Sequence, residues 1–324
     1  MRTTFFPRLS MMLSVALLAF SLPPSGARAG APLADHDHDR DYPVKAEETI
    51  RKSFTMPAGH KTLEIDNIFG SIEVTGEVTG KVTGEVTGEV TGGSSSEVRI
   101  VVAKSIRAES NDTLERARKE VTLDIDQNAG ALKLYVNGPF RCHCDDCNNC
   151  GSGCGSHEGP GYVVKMDFKV QVPAEIDLKI RTVNEGIVKV SNVTGNFAVH
   201  NVNGHIEMSS IAGSGTATTV NGPVSVSFRR NPSESSDFRT VNGNVELRFA
   251  GNLSADFRLK TFNGGIYSDF PVTALPGRPV AEERHGTKVI LRADRFAGAR
   301  IGSGGPEIKV ENLNGDIRIL ENHE

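Results

Sequence analysis

RTVNEGIVKV (181–190), HNVNGHIEMS (200–209), TTVNGPVSVS (218–227), RTVNGNVELR (239–248) and KTFNGGIYSD (260–269) are five copies of one unit. Each is a short strand of alternating apolar residues entered through an Asn-Gly or Asn-Glu-Gly turn. The leading asparagines are Asn184, Asn203, Asn221, Asn242 and Asn263, so the steps are 19, 18, 21 and 21 residues. A period of this size marks stacked repeats. Between the copies, SNVTGNFAV (191–199) and SIAGSGTAT (210–218) offer a second turn and a second short strand. One coil therefore holds two strands and two turns in about 20 residues. Strands this short cannot bury a face alone, and stacking them about 4.8 Å apart makes a continuous core. The expected class is all-β: a single-stranded right-handed β-solenoid, similar to a parallel β-helix. Ile187 and Val190, Ile206 and Met208, Val224 and Val226, and Val245 and Leu247 are the expected inward pairs. Asn before Gly suits a turn with positive φ, and asparagines stacked coil on coil can bond amide to amide.

Working outward, the unit recurs once near the C-terminus. GSGGPEIKV and NLNGDIRIL restore the motif at Asn314-Gly315, and the chain then ends, as expected if this last coil is a cap. Pro271 to Gly286 is a Pro-, Gly- and charge-rich excursion, after which KVILRA resumes β structure. Upstream, YVVKMDFKVQV places Val164, Met166, Phe168, Val170 and Val172 on one face. VTLDID and ALKLYV read as a hairpin about Asn128 to Gly130. Asn111 to Val121 reads as a helix, with Asp112 and Glu115 resembling a capping box and Leu114, Ala117 and Val121 on one face. Such a helix could close the open end of a stack.

Structure is expected from Thr49, with IRKSF, TLEID and SIEV as short strands. The solenoid domain then spans 49–321. Two insertions interrupt it. Residues 75–95 carry V-T-G every four places, a period that suits neither strand nor helix, and read as an expanded loop. SIEV and EVRIVVAKS on either side would form an ordinary strand-turn-strand unit. A calcium-binding glycine repeat would need a regular Asp, which this array lacks. Residues 139–161 form the second insertion and hold all five cysteines, in RCHCDDCNNCGSGC.

Cys144, Cys147, Cys150 and Cys154 match the spacing of a bacterial iron–sulfur ferredoxin, but Gly155 replaces the usual Pro and no second motif follows. With Cys142, His143 and His157 they also offer more thiolate and imidazole ligands than tetrahedral zinc requires. As a thiol-redox pair, Cys144 and Cys147 enclose Asp145 and Asp146, which would raise the thiol pKa. One or two disulfides stapling an exposed loop, with one thiol left over, is the leading expectation. Zinc at Cys144, Cys147, Cys150 and Cys154 is the metal-binding rival. No other cofactor is expected.

The N-terminus reads as a secretory signal over 1–29. Arg2 and Arg8 precede an apolar run, Leu9 to Leu22, which Pro23 and Pro24 end before the small-x-small site at Ala27 to Ala29. That run is shorter than the ~20 residues of a membrane span, and no later run is long enough. Residues 30–48, with His36 and His38 among Asp35, Asp37 and Asp39, read as a disordered acidic linker. Signal removal takes away three arginines and no acid, shifting the formal net charge from -4 to -7. An acidic chain is a poor partner for nucleic acid or anionic lipid. With no Trp and 4 Tyr it also lacks an aromatic sugar platform.

Catalytic signatures are missing: there is no G-x-S-x-G, H-E-x-x-H, Walker loop or dinucleotide fingerprint. GSGGP (302–306) precedes a strand, so it lacks the helix N-terminus of a phosphate cradle. Acids such as Glu207 and Glu246 are scattered on outward positions rather than paired as a glycosidase needs. The chain is expected not to be an enzyme.

VPAEIDLKIRTVNEGIVKV, TVNGPVSV, TVNGNVELRF, FNGGIYSDFPV and RIGSGGPEIKVENLNGDIRI together resemble the bacterial "putative adhesin" β-strand-repeat family of unknown function. They are also similar to autotransporter-adhesin-like head domains. The resemblance covers Thr49 to Leu320 and is most specific from Ile301 onward. It implies an exported β-solenoid of the cell envelope, periplasmic or at the cell surface, and supplies no catalytic residue. The V-T-G array and the cysteine insert depart from the family pattern. An adhesin-like scaffold binding an envelope protein or glycan through outward positions such as Lys189 and Arg239 is the resulting expectation. The alternative is a periplasmic metal-binding or thiol-redox module built on the cysteine insert.

Overall fold

The computed structural model describes residues 42–77, 96–141, 160–276, 281–285, 288–292 and 296–322. All five cysteines and most of the V-T-G array lie outside the described residues. The chain opens with β1 (Val44–Thr55), β2 (Thr62–Asp66) and β3 (Ile72–Glu77) and continues with β4 (Glu97–Ala108) and α1 (Asn111–Glu120). A hairpin of β5 (Thr122–Asn128) and β6 (Ala131–Asn137) leads to β7 (Tyr162–Pro173).

From there the chain crosses between two sheets strand by strand. β8 (Asp177–Arg181), β10 (Phe197–His200), β12 (Gly215–Thr218), β14 (Ser236–Asn242) and β16 (Ala255–Lys260) join one sheet. β9 (Val188–Ser191), β11 (Ile206–Ile211), β13 (Val224–Phe228), β15 (Val245–Phe249) and β17 (Ile266–Ser268) join the other. β18 (Val272–Leu275), the separate hairpin β19 (Ala281–His285)–β20 (Lys288–Arg292), β21 (Ala297–Ile301), β22 (Glu307–Asn314) and β23 (Ile317–Glu321) complete the chain.

The ten-stranded sheet runs β1-β4-β7-β3-β9-β11-β13-β15-β23-β17, and the eleven-stranded sheet β18-β21-β16-β22-β14-β12-β10-β8-β2-β6-β5. Repeat strands pair in parallel, Val188 with Ile206 and Val224 with Val245, as does the outermost pair β17–β23, whereas the outermost pairs β1–β4, β5–β6 and β18–β21 are antiparallel. Among the described residues the molecule is thus all-β with one helix, in two open mixed sheets and one separate hairpin. Alternate side chains of both sheets point inward, and Phe228 of one meets Phe238 of the other edge to face at 6.1 Å. Phe228 also stacks on Phe249 at 5.1 Å, and all three rings are fully buried.

Five expectations are corrected here. β1 starts at Val44, ahead of Thr49 and inside the stretch read as linker. β3 and β4 do not pair: β7 lies between them, parallel to β3 and antiparallel to β4. Length decides this, because β1, β4 and β7 are each 12 residues and β3 only 6. The inward residue of the first copy is Val188, not Ile187, because Glu185 adds a residue to the turn at φ 51 and slips the strand by one. The helix is capped by Ser110, whose side chain accepts from the Thr113 N–H, rather than by Asp112. Finally, the C-terminal coil is no cap, since β22 and β23 are inserted between earlier strands on both sides.

Candidate binding edge along the repeat turns

The Thr-Val-Asn-Gly turns stack into one edge of the molecule, and each letter has its own physical task. The first position reaches the adjacent coil and is buried in every copy but the last in space, where Thr261 is half-buried. Thr182, Thr219, Thr240 and Thr261 donate their hydroxyls to the carbonyls of Gly70, Gly204, Gly222 and Gly315 at 2.8–3.1 Å. Asn201 and Asn312 make the same bond through Nδ2, to Gly186 and Gly243 at 2.9 and 2.7 Å. A carbonyl sealed inside a turn would cost about 1–3 kcal/mol unpaired, so this row holds the turns together.

The third position forms an amide ladder. Asn203 donates to Asn184, Asn221 to Asn203 and Asn242 to Asn221, each at 2.8 Å. Asn314 donates to Asn242 and Asn263 to Asn314, both at 2.7 Å. The expected amide stacking is present, in the order 184, 203, 221, 242, 314, 263. Glycine follows because the backbones approach closely there. A Cβ on Gly204, Gly243 or Gly315 would overlap the carbonyl of the glycine one coil away.

The second position points outward. Val183 and Val202 are half-buried, Val220 and Val241 are exposed, and exposure climbs to 45% at Leu313 and 73% at Phe262. An apolar stripe therefore runs beside a row of exposed amides, and each amide keeps a second N–H and a second lone pair. The coil spacing sets the repeat of both rows, at about 4.8 Å. The sequence carried this signal: every copy has Val, Leu or Phe between its Thr or Asn and its ladder Asn, at the parity opposite to the buried positions of the strand before it, as with Phe238 and Thr240 ahead of Val241.

The sheet faces are differently made. Lys189 pairs with Glu207 on the next strand at 3.4 Å. Arg239 is bound by Asp237 at 2.8 Å, which holds its guanidinium pKa above the ordinary value, and Glu311 lies 3.9 Å away. Glu246 is occupied by Arg248 at 2.7 Å. The Lys260 ammonium, 2.6 Å from Glu311, holds that carboxyl below the usual range. These charges are spent on one another, as expected of a solvated, self-neutralising face.

A surface groove of about 240 Å³ lies on the β8–β10–β12 side, lined by Asp177, Lys179, Asn196, Phe197, Ser214 and Glu234. Its Asp177 accepts from the Asn196 N–H at 2.8 Å and faces His60 at 3.2 Å, so this acid serves the turn. Cys144, Cys147, Cys150 and Cys154, with Cys142, His143 and His157, lie outside the described residues. Among the described residues no group of three or more His, Cys, Asp or Glu is placed to hold a metal ion. Nor is any described helix long and apolar enough to cross a membrane.

No protein-family model matches the chain, and no curated protein matches it. Two solved structures are similar at low identity. A "putative cell adhesion protein" from Clostridium sporogenes ATCC 15579 is 10% identical over 85% of this chain and 100% of its own, with a TM-score of 0.34. A "putative adhesin" from Bacteroides fragilis NCTC 9343 is 9% identical over 85% of this chain and 97% of its own, with a TM-score of 0.33. Likenesses this loose do not determine what this chain binds.

Proposed function

We propose that this chain is an exported, non-enzymatic, adhesin-like binding protein of the cell envelope, and that its repeat-turn edge is the contact face. One observation carries the reading: every turn copy spends its second position on an apolar side chain kept out of the core. Contiguous exposed apolar surface on a soluble chain marks an interaction site. The pairing of Lys189, Arg239 and Glu246 with neighbouring charges favours that edge over the sheet faces as the contact surface. The alternating, parallel, in-register repeat strands favour a right-handed single-stranded β-solenoid for this region. An envelope protein suits the stripe better than a glycan, because no Trp supplies a sugar platform.

The test is capture of partners from envelope fractions by the immobilised mature protein. The triple variant Val220→Ser, Val241→Ser, Leu313→Ser should lose the partner while Lys189→Ala and Arg239→Ala keep it. The opposite pattern would move the contact face to the sheet surface. Loss only in Cys147→Ser, Cys150→Ser would favour the alternative, a metal-binding or thiol-redox module.

A further inference from the structure

The two ends of the sheets are guarded differently. At one end the edge strands β1 and β5 are heavily charged, with Lys45, Glu47, Glu48, Arg51 and Lys52 on the first and Asp124 and Asp126 on the second. Charge along an edge is how a sheet avoids pairing with another chain. At the other end the edge strands are β17 (Ile-Tyr-Ser) and β18 (Val-Thr-Ala-Leu), which carry no charge at all.

The β17 end is also unfinished by the standard of every other coil. Val188, Ile206, Val224, Val245 and Ile317, the first inward residues of their strands, are all fully buried. Ile266 pairs with Ile317 and so holds the same position, yet it is 40% exposed. Tyr267, Phe262 and Val272 are exposed around it. On its inner side β17 is satisfied: the Gly265 carbonyl accepts from Ile317 N–H at 2.9 Å, and Asp269 N–H donates to Ile319 at 3.0 Å. Backbone alternation then turns the N–H and C=O of Ile266 and Ser268 away from β23, toward an open edge.

We propose that this end is a dimer interface, and that its occupant is the same end of a second copy, docked antiparallel about a two-fold axis. Charge selects this partner. Head-to-tail stacking would set the apolar β17 edge against the charged β1 edge and strip water from its ions without offering them a partner. End-to-end docking instead puts uncharged surface on uncharged surface and closes the assembly at two copies. The geometry sets the register. Outward groups at Ile266 and Ser268 pair when Ile266 faces Ser268 of the second copy, which places the two Tyr267 residues opposite each other on the axis. They form a non-hydrogen-bonded pair with Cα atoms about 4.5 Å apart.

The experiment is sedimentation velocity of the mature exported protein from about 1 to 100 µM, with and without reductant. A dimer that survives reductant is expected, together with a monomer for Ile266→Lys, which puts a charge on the edge. Tyr267→Cys, oxidised and mapped by peptide mass, should yield a disulfide joining the two 267 positions, because about 4.5 Å lies within disulfide reach. This readout stands even if Ile266→Lys fails to fold. A monomer throughout overturns the proposal, whether the end stays bare or the β19–β20 hairpin lies over it. Open-ended polymers, or a dimer lost on reduction, overturn it equally. Partner capture at the repeat-turn edge is a separate readout, so either idea can fail alone.

Discussion

Asn312 occupies the buried row beneath the turns where Thr182, Thr219 and Thr240 stand in other coils. Its Nδ2 donates as the threonines do, but its Oδ1 is buried with no hydrogen-bond partner. Asn201 carries the same side chain without that fault, because its Oδ1 accepts from the Val202 N–H at 2.8 Å. Asn312→Thr should keep the donor, remove the orphan acceptor and stabilise by about 1 kcal/mol. Asn201→Thr should destabilise by a similar amount. Urea midpoints at unchanged slope would show the opposite signs, and equal shifts would refute the account. His200 gives a pH signature. Burial, and then the neighbouring Arg181, hold its pKa below the ordinary histidine value, and Nδ1 lies 2.6 Å from Thr218 Oγ1. Between the folded value and about 6.5 the unfolded chain binds more protons, so stability falls as pH drops through that window. Unfolding at pH 7.5 and 5 should show the loss, and His200→Gln should flatten it. The depressed carboxyls of Asp256, Asp316 and Glu311 act at lower pH, their stabilisation being lost as pH falls from the ordinary carboxylate value toward their lowered folded values.

At the scale of the element, the turn decides what the strand may do. Gly222 has φ +152, and a Cβ there would sit 2.5 Å from the Gly204 carbonyl oxygen. Gly59 also has positive φ, +107, but its Cβ would meet nothing within 4 Å. Comparing the two alanine variants separates backbone strain from stacking distance. Gly59→Ala should cost about 1–2 kcal/mol from conformation alone. Gly222→Ala should cost roughly 3 kcal/mol or more, because adjacent coils must also part. Similar losses at both sites, read from chemical denaturation, would mean that the turns do not need their close approach. This tight spacing is also why the repeat was legible in the sequence: few residues other than Asn-Gly fit such a turn, so the motif recurs almost unchanged. The strand that follows was legible where turn length was constant and misread where Glu185 lengthened it, since one residue reverses every side chain's direction. The Ser110 cap is hidden for a different reason, because Asp112 and Glu115 imitate a capping box two residues inside the true cap.

For the whole molecule, the order of coils in space differs from their order in sequence at both ends. β2 and β3 are slotted between β6 and β8 and between β7 and β9. β22 and β23 are slotted between β14 and β16 and between β15 and β17. Periodicity cannot announce this, because it reports how far apart similar turns lie along the chain and not which ones touch. Asn263 and Asn314 are 51 residues apart yet bonded to each other. In a sequentially stacked array, removing the last repeat strips an outer layer and leaves the remainder intact. Here β22 and β23 hold two coils together, with Ile308 and Val310 paired to Ser236 and Phe238 on one side and to Phe257 and Leu259 on the other. A chain ended at Gly305 should therefore lose the middle of its C-terminal half, exposing Phe238 and Phe257 together. Hydrogen exchange should show protection lost in β14 to β17 and kept in β8 to β11. Protection kept throughout would mean that β14 and β16 can close on each other directly, and that the inserted coil is dispensable.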